Sequence, residues 1–240
     1  LGNLDLNNIL KLEETDFVKK MKPVYNLINL VKNHDLTNNK STIGFVGAPW
    51  TLLVYMINQK SPKTGLEDGF FKDNNLINKT LTIIEKFLKV HIKNQIESGA
   101  QIIQIFDSWA GLLDKKDFSN FIYAPTTSLV EYTKSFNVPV ICFPKGIKEY
   151  KEYCEVVKPS AICIDYEVDP KEILKNIKIP VQGGMDPKTL LTDKENLKRE
   201  TKKYLDIFKD HPYIFNLGHG VLPETNPDLM DYLVKFVKDY

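Results

Sequence analysis

The chain has 240 residues, 42% of them hydrophobic and 26% charged, and a formal net charge of +1. That length supports a substantial core, and the near-neutral balance excludes a global pull toward nucleic acid or an anionic membrane surface. Cys142, Cys154 and Cys163 are an odd number with no CxxC spacing, which excludes a disulfide framework and a structural zinc site, so buried, reduced thiols are expected.

The chain begins Leu1-Gly2-Asn3-Leu4, neither a signal peptide nor an initiator methionine, and a start inside a longer reading frame is expected. A weak helical pattern over residues 16–32 precedes the apolar run IGFVGAP at 43–49. Residues 75–98 carry Ile77, Leu81, Ile84, Leu88, Ile92 and Ile96 in steps of three and four, the stripe of a helix packed on a sheet. Then come the run QIIQIFDS (101–108), a helical stretch (117–136), the run VPVICFP (138–144), a weaker helix (148–157) and the run SAICIDYE (160–167). The run IPVQGGMDP (179–187) leads into a helix over 186–208, with Asp186 as N-cap and Pro187 at the first helical position. The run YIFNLGHG (213–220) and a helix over 228–240 complete the order, and no stretch approaches the roughly 20 apolar residues of a membrane span.

Short apolar runs rich in β-branched and aromatic residues read as buried parallel strands, and the alternation with helices predicts an α/β fold in a single domain, 1–240. Six strands fit an open doubly wound sheet, or a (β/α)8 TIM-type barrel with about the first two strands missing from this chain. Either architecture gathers functional groups at the C-terminal strand ends. The candidates there are Gly47, Ala48, Pro49 and Trp50; Asp107 and Ser108; Lys145; Asp165 and Glu167; Gly183, Gly184 and Asp186; and His219. His219, between Gly218 and Gly220, is open to a ligand as a carboxylate binder, an acid or base, or a metal ligand. Ser108 lacks a Gly-x-Ser-x-Gly elbow and suits a hydrogen-bond donor better than a nucleophile; alternation puts the Asp107 side chain on the opposite face. Gln182 to Pro187 carries neither GKS/GKT nor GxGxxG and reads as a tight strand-to-helix turn. No three ligands converge among His34, His91, His211, His219 and the cysteines, so no catalytic metal is expected.

Four of these segments resemble the uroporphyrinogen decarboxylase family. Ile43 to Leu52, with Tyr55-Met56, is similar to GFAGAPWTL…YM; Phe106 to Gly111 resembles F-[DE]-S-x-A-G. Gln182 to Pro187 resembles QGNLDP with Gly184 and Met185 in place of Asn and Leu, and Asn216 to Gly220 with Pro223 resembles NLGHG…P. The resemblance covers about residues 43–227 in family order. It implies the barrel, no metal or organic cofactor, a homodimer in the cytoplasm, and decarboxylation of the four acetate side chains of uroporphyrinogen III to give coproporphyrinogen III and CO2. It also implies that Tyr55, Ser108 and His219 contact the tetrapyrrole, with Phe45 and Phe106 as apolar walls.

The family's arginine-rich MRQAGR segment and its early-strand aspartate have no counterpart in this sequence, and of 32 basic residues only Arg199, mid-helix, is an arginine. No residue here is therefore assigned the catalytic part, and the chain alone is expected to be inactive, with two open sheet edges. The competing expectations are a corrinoid- or cobalamin-linked methyltransferase of the same barrel superfamily and a non-catalytic porphyrin-binding remnant.

Overall fold

The computed structural model describes residues 11–58, 61–62, 65–66 and 74–240; the Leu1–Leu4 start lies outside them. Two compact units are present, Leu1–Ile147 with Glu155–Pro159, and Lys148–Cys154 with Ser160–Tyr240. In the first, helix α1 (Glu14–Lys32) precedes strand β1 (Ile43–Gly47), followed by α2 (Pro49–Asn58), α3 (Asn74–Glu97), β2 (Ile102–Asp107), α4 (Ala124–Lys134) and β3 (Val140–Pro144). Helix α5 (Tyr150–Val157) is divided between the two units, and the second holds β4 (Ala161–Ile164), α6 (Pro170–Asn176), β5 (Val181–Gly183), α7 (Lys194–Phe208), β6 (Tyr213–Ile214) and α8 (Pro227–Asp239). Strands β1-β2-β3 are parallel neighbours in chain order, and so are β4-β5-β6. No helix among the described residues is long and apolar enough to cross a membrane.

All six apolar runs contain a strand, but the runs overreach. Beyond Ile164 the Glu167 amide turns to the Asp165 carboxylate (2.9 Å) instead of a neighbouring strand. The last run keeps only Tyr213–Ile214 and a single bridge, Met185 to Leu217. Two expected helices are divided. Pro125 cannot donate a backbone hydrogen bond, and the 117–136 stretch becomes a 3-10 turn, a π-helical turn over Ser119–Tyr123 and then α4. The 186–208 stretch holds two N-caps, Asp186 and Asp193, whose side chains accept from Lys188 and Asn196 amides, so a 3-10 segment (Pro187–Leu191) ends before α7 starts. Helix α6 was not anticipated, although Asp169-Pro170 repeats the Asp186-Pro187 signature, with the Asp169 side chain accepting from the Lys171 amide.

Strand β1 corrects the expectation of an open edge at one point. Thr42 and Ala48 bond to β2 through Thr42 O and Ala48 N, so by alternation the peptide groups of Phe45 face the other way. There the side-chain amide of Gln95, on α3 and 1% exposed, accepts from Phe45 N and donates to Phe45 O, both at 3.0 Å. Gly44 makes the approach possible, since a Cβ on it would stand 2.7 Å from Gln95 Oε1. Gln95→Leu should therefore lower the unfolding free energy by about 2–3 kcal/mol, the cost of two buried hydrogen bonds left unmade, as read from urea denaturation. A loss below about 0.5 kcal/mol would mean that water replaces the amide without penalty.

Candidate active site

Three phenylalanines cross the first unit on one face. Phe106 lies opposite Gly47 in the β1–β2 register and opposite Phe143 in the β2–β3 register. Its ring meets Phe45 edge-on (centroids 5.9 Å, 82°) and Phe143 likewise (6.0 Å, 85°). Exposure falls across the row, from Phe45 at 63% to a half-buried Phe106 and a buried Phe143. Strand β1 thus buries its alternate residues, Gly44 and Val46, and leaves the Phe45 ring in water.

Ser108 follows β2, half-buried, in a turn tied down from several sides. The Thr51 hydroxyl of α2 donates to Asp107 Oδ1 at 2.7 Å and accepts the Trp109 amide at 3.3 Å. The Trp50 indole donates to the Trp109 carbonyl (2.9 Å), Lys145 N donates to Asp107 O, and Gly111 N donates to Lys145 O, both at 3.0 Å. Gly111 must lack a side chain, because a Cβ there would stand 2.6 Å from Gly146 O. Asp107 is 1% exposed, and its Oδ2 has no partner among the described residues. Burial pushes its carboxyl from the ordinary 3.8 up to about 7, against the opposing hydrogen bond from Thr51. Tyr55, on α2, is 40% exposed and sets its ring edge-on to Trp109 (6.0 Å, 75°), so it is neither the packed core tyrosine of a plain helix nor remote from the serine turn. Trp50, one of the strand-end candidates, is fully buried and bonded inward.

In the second unit the strand ends are held by glycines. Gly183 and Gly184 have φ of 87° and 98°, a backbone conformation that side chains oppose, and Gly184 stands where the resembling QGNLDP pattern carries asparagine. Two tyrosines fix this turn: Tyr213 donates to Gly183 O and Tyr204 to Gly184 O, each at 2.7 Å. Burial raises both phenols, Tyr204 to about 12, which keeps them protonated donors. Gly218 donates to Met185 O (2.8 Å) and lies flat on the chain after β4, where a Cβ would overlap Tyr166 N and stand 2.8 Å from Asp165 C. His219 comes next, exposed, its Nδ1 accepting the Gly220 amide at 2.8 Å. It borders a cavity of roughly 390 Å³ whose walls include Phe215, Leu217, Met230, Leu233 and Val237. Asp165 is buried; it accepts the Glu167 amide and faces the Tyr150 hydroxyl at 3.5 Å.

Of the other polar candidates, Cys163 borders the glycine turn, its Sγ 3.2 Å from where a Cβ on Gly183 would stand. Cys142 and Cys163 are buried and Cys154 is half-buried. His91 pairs with Tyr25 (3.0 Å), His34 caps a 3-10 turn and His211 meets Ile179 O (2.9 Å). Arg199 is 70% exposed on α7 beside Glu200. Among the described residues, no three His, Cys, Asp or Glu side chains form a group able to hold a metal ion. A wider cleft of roughly 940 Å³ between α1 and α3 is lined by Lys19, Lys22, Lys86, Lys89 and Lys93, and no strand-end residue reaches it. Thr51 carries no role in the sequence reading, although it stands in the Ile43-to-Leu52 segment.

A family model described as uroporphyrinogen decarboxylase (URO-D) matches residues 3–240. The uroporphyrinogen decarboxylase of Rickettsia bellii (strain RML369-C) is 39% identical over 229 residues, 92% of this chain and 66% of that protein. That of Wolbachia sp. subsp. Brugia malayi (strain TRS) is 41% identical over 241 residues, 98% and 66% of the two chains. That of Orientia tsutsugamushi (strain Boryong) is 38% identical over 242 residues, 97% and 70%. This chain thus spans about two thirds of the length of the curated relatives it matches. Among solved structures, a methyltransferase from Methanosarcina mazei superposes with a TM-score of 0.71 at 16% identity, covering 90% of this chain and 63% of the other. A B12-independent methionine synthase from Shewanella sp. W3-18-1 gives 0.58 at 14% identity, covering 89% and 64%. At such identities the likeness is one of fold, of the TIM-barrel type, and lends the methyltransferase alternative no support.

Proposed function

The chain belongs to the uroporphyrinogen decarboxylase family, and from that premise we propose that the protein decarboxylates uroporphyrinogen III to coproporphyrinogen III in porphyrin and haem biosynthesis. Each acetate arm loses its carboxyl as CO2 and gains a proton, becoming a methyl group. A pyrrole carbon protonated beforehand makes the ring cationic, able to receive the electron pair of the breaking bond. The protein's share is then to hold the macrocycle and stabilise developing charge. Phe45 and Phe106 supply an apolar wall for the ring. Tyr55 and Ser108 donate hydrogen bonds, and His219 binds or orients a carboxylate. The 240 residues act as one domain of a longer cytoplasmic protein that works as a homodimer, without metal or organic cofactor.

The observation that carries this reading is the aromatic row ending in an exposed Phe45, on the strand face toward which alternation points Ser108. A flat, apolar ligand edged with polar groups suits such a wall with a donor beside it.

Anaerobic incubation with uroporphyrinogen, followed by chromatography of the oxidised porphyrins, tests the reading. The chain alone is expected to give no conversion, since it carries no MRQAGR-like segment. Joined to the N-terminal third of the Orientia relative, it should yield the four-carboxylate product. Conversion by the chain alone would retain the activity and discard the need for that segment. Absence of product from both forms would overturn the decarboxylase reading in favour of a porphyrin-binding remnant.

A further inference from the structure

We propose that Thr51, acting together with the Asp107 carboxyl, is a positioning residue that sets the direction of the Ser108 hydroxyl toward the substrate; this rests on the assignment of Ser108 to the tetrapyrrole. Thr51 Oγ1 is the meeting point of a short relay. The Trp109 amide donates into it at 3.3 Å and it donates onward to Asp107 Oδ1 at 2.7 Å, so the residues on both sides of Ser108 are held by one oxygen. Hydrogen bonds in series polarise one another, which strengthens such a chain. The oxygen itself is fixed. Thr51 is 4% exposed in the first turn of α2, and the preceding Trp50, fully buried, bonds the Trp109 carbonyl. With residues 107 and 109 both pinned, little freedom is left for the peptide units flanking Ser108.

Asp107 is suited to the accepting end. It faces α2 on the side of β2 opposite the aromatic row, reaches no cation among the described residues, and leaves Oδ2 without a partner. An acid placed there for stability alone would be a poor choice, since a buried carboxyl with an unpaired oxygen carries a penalty that an apolar residue avoids. Fixing a turn that must present a hydroxyl gives the carboxyl a use there.

The test is a cycle of Thr51→Val, Thr51→Ser and Ser108→Ala, with kcat and KM measured in whichever form converts uroporphyrinogen, and amide exchange at Trp109 measured on the 240-residue chain. Valine matches the shape of threonine without the hydroxyl; serine keeps the hydroxyl. Thr51→Val should lower kcat/KM about tenfold, the scale of a small misplacement at a reacting group, and Thr51→Ser should restore it to within about twofold. In the Ser108→Ala background Thr51→Val should add less than about twofold, because coupled residues are not additive. The Trp109 amide should exchange faster in Thr51→Val than in the parent. If Ser108→Ala leaves turnover unchanged, the assignment of Ser108 fails and this proposal with it. If Ser108→Ala slows turnover but Thr51→Val costs the same factor in both backgrounds, or leaves Trp109 exchange unaltered, Ser108 is a contact and Thr51 does not position it.

Discussion

In the form joined to the N-terminal third of the Orientia relative, replacing Gly218 with alanine should reduce uroporphyrinogen turnover by about 100-fold, the scale of an ångström-sized displacement of a group proposed to touch substrate. The added methyl has nowhere to go. It would overlap the Tyr166 amide nitrogen and press on Asp165 C and Tyr166 Cα, at 2.8 and 3.0 Å, and these are backbone atoms that no side-chain rotation can move aside. The turn must lift off the end of β4, carrying the neighbouring His219 with it and straining the Gly218 N to Met185 O bond. Overpacking of this kind costs about 1–3 kcal/mol, which thermal unfolding will report alongside the kinetics. Gly220→Ala is the stability control: a methyl there meets nothing within 4 Å, and the unfolding free energy should stay within about 0.5 kcal/mol of the parent. Equal melting of both variants and full turnover by Gly218→Ala would mean that the turn is free to relax.

The second large effect concerns pH. Asp107 ionises near 3.8 when unfolded and near 7 when folded, because burial disfavours its charge. Between those values the folded chain holds a proton that the unfolded chain has lost, so stability is full below about pH 4 and declines as the pH rises through about 7. At roughly 1.36 kcal/mol per pH unit the whole change is on the order of 4 kcal/mol, the greater part of it between pH 5 and 8. Asp107→Asn keeps an oxygen for Thr51 and removes the titration. Urea unfolding of the variant at pH 5 and pH 8 should therefore differ by less than about 1 kcal/mol from this source. A pH dependence identical to that of the parent would place the proton uptake on another group.

Much of the scaffold was legible because its cause is local. Buried parallel strands need apolar runs, and each of the six runs holds one. Helix starts were legible where a cap precedes proline, and the overlooked α6 had that signal in Asp169-Pro170. What failed was continuity. Periodicity alone carried the 117–136 helix across Pro125, and the 186–208 helix across Asp193, since an apolar stripe persists through a break that the backbone cannot ignore. The site divides in the same way. Phe45, Tyr55, Ser108 and His219 stand in recognisable strings, and the aromatic row follows from strand register. Asp107 was visible only as an acid facing away from Ser108. Its tie to Thr51 spans 56 positions of sequence, as Gln95 spans 50 to reach Phe45, and no local pattern encodes a hydrogen bond over that distance.

The Gln95 amide also changes what joining β1 would mean. A strand arriving at that side would find the Phe45 N–H and C=O already engaged, and it would have to dislodge the glutamine before bonding there. Two hydrogen bonds would be exchanged for two, with little net enthalpy from the main chain at that point. Lateral assembly at β1 would then be selected by what the incoming side chains bury against Ile43 and Phe45, both largely exposed. Such an edge discriminates between partners by their sequence, where a bare one would accept any extended chain.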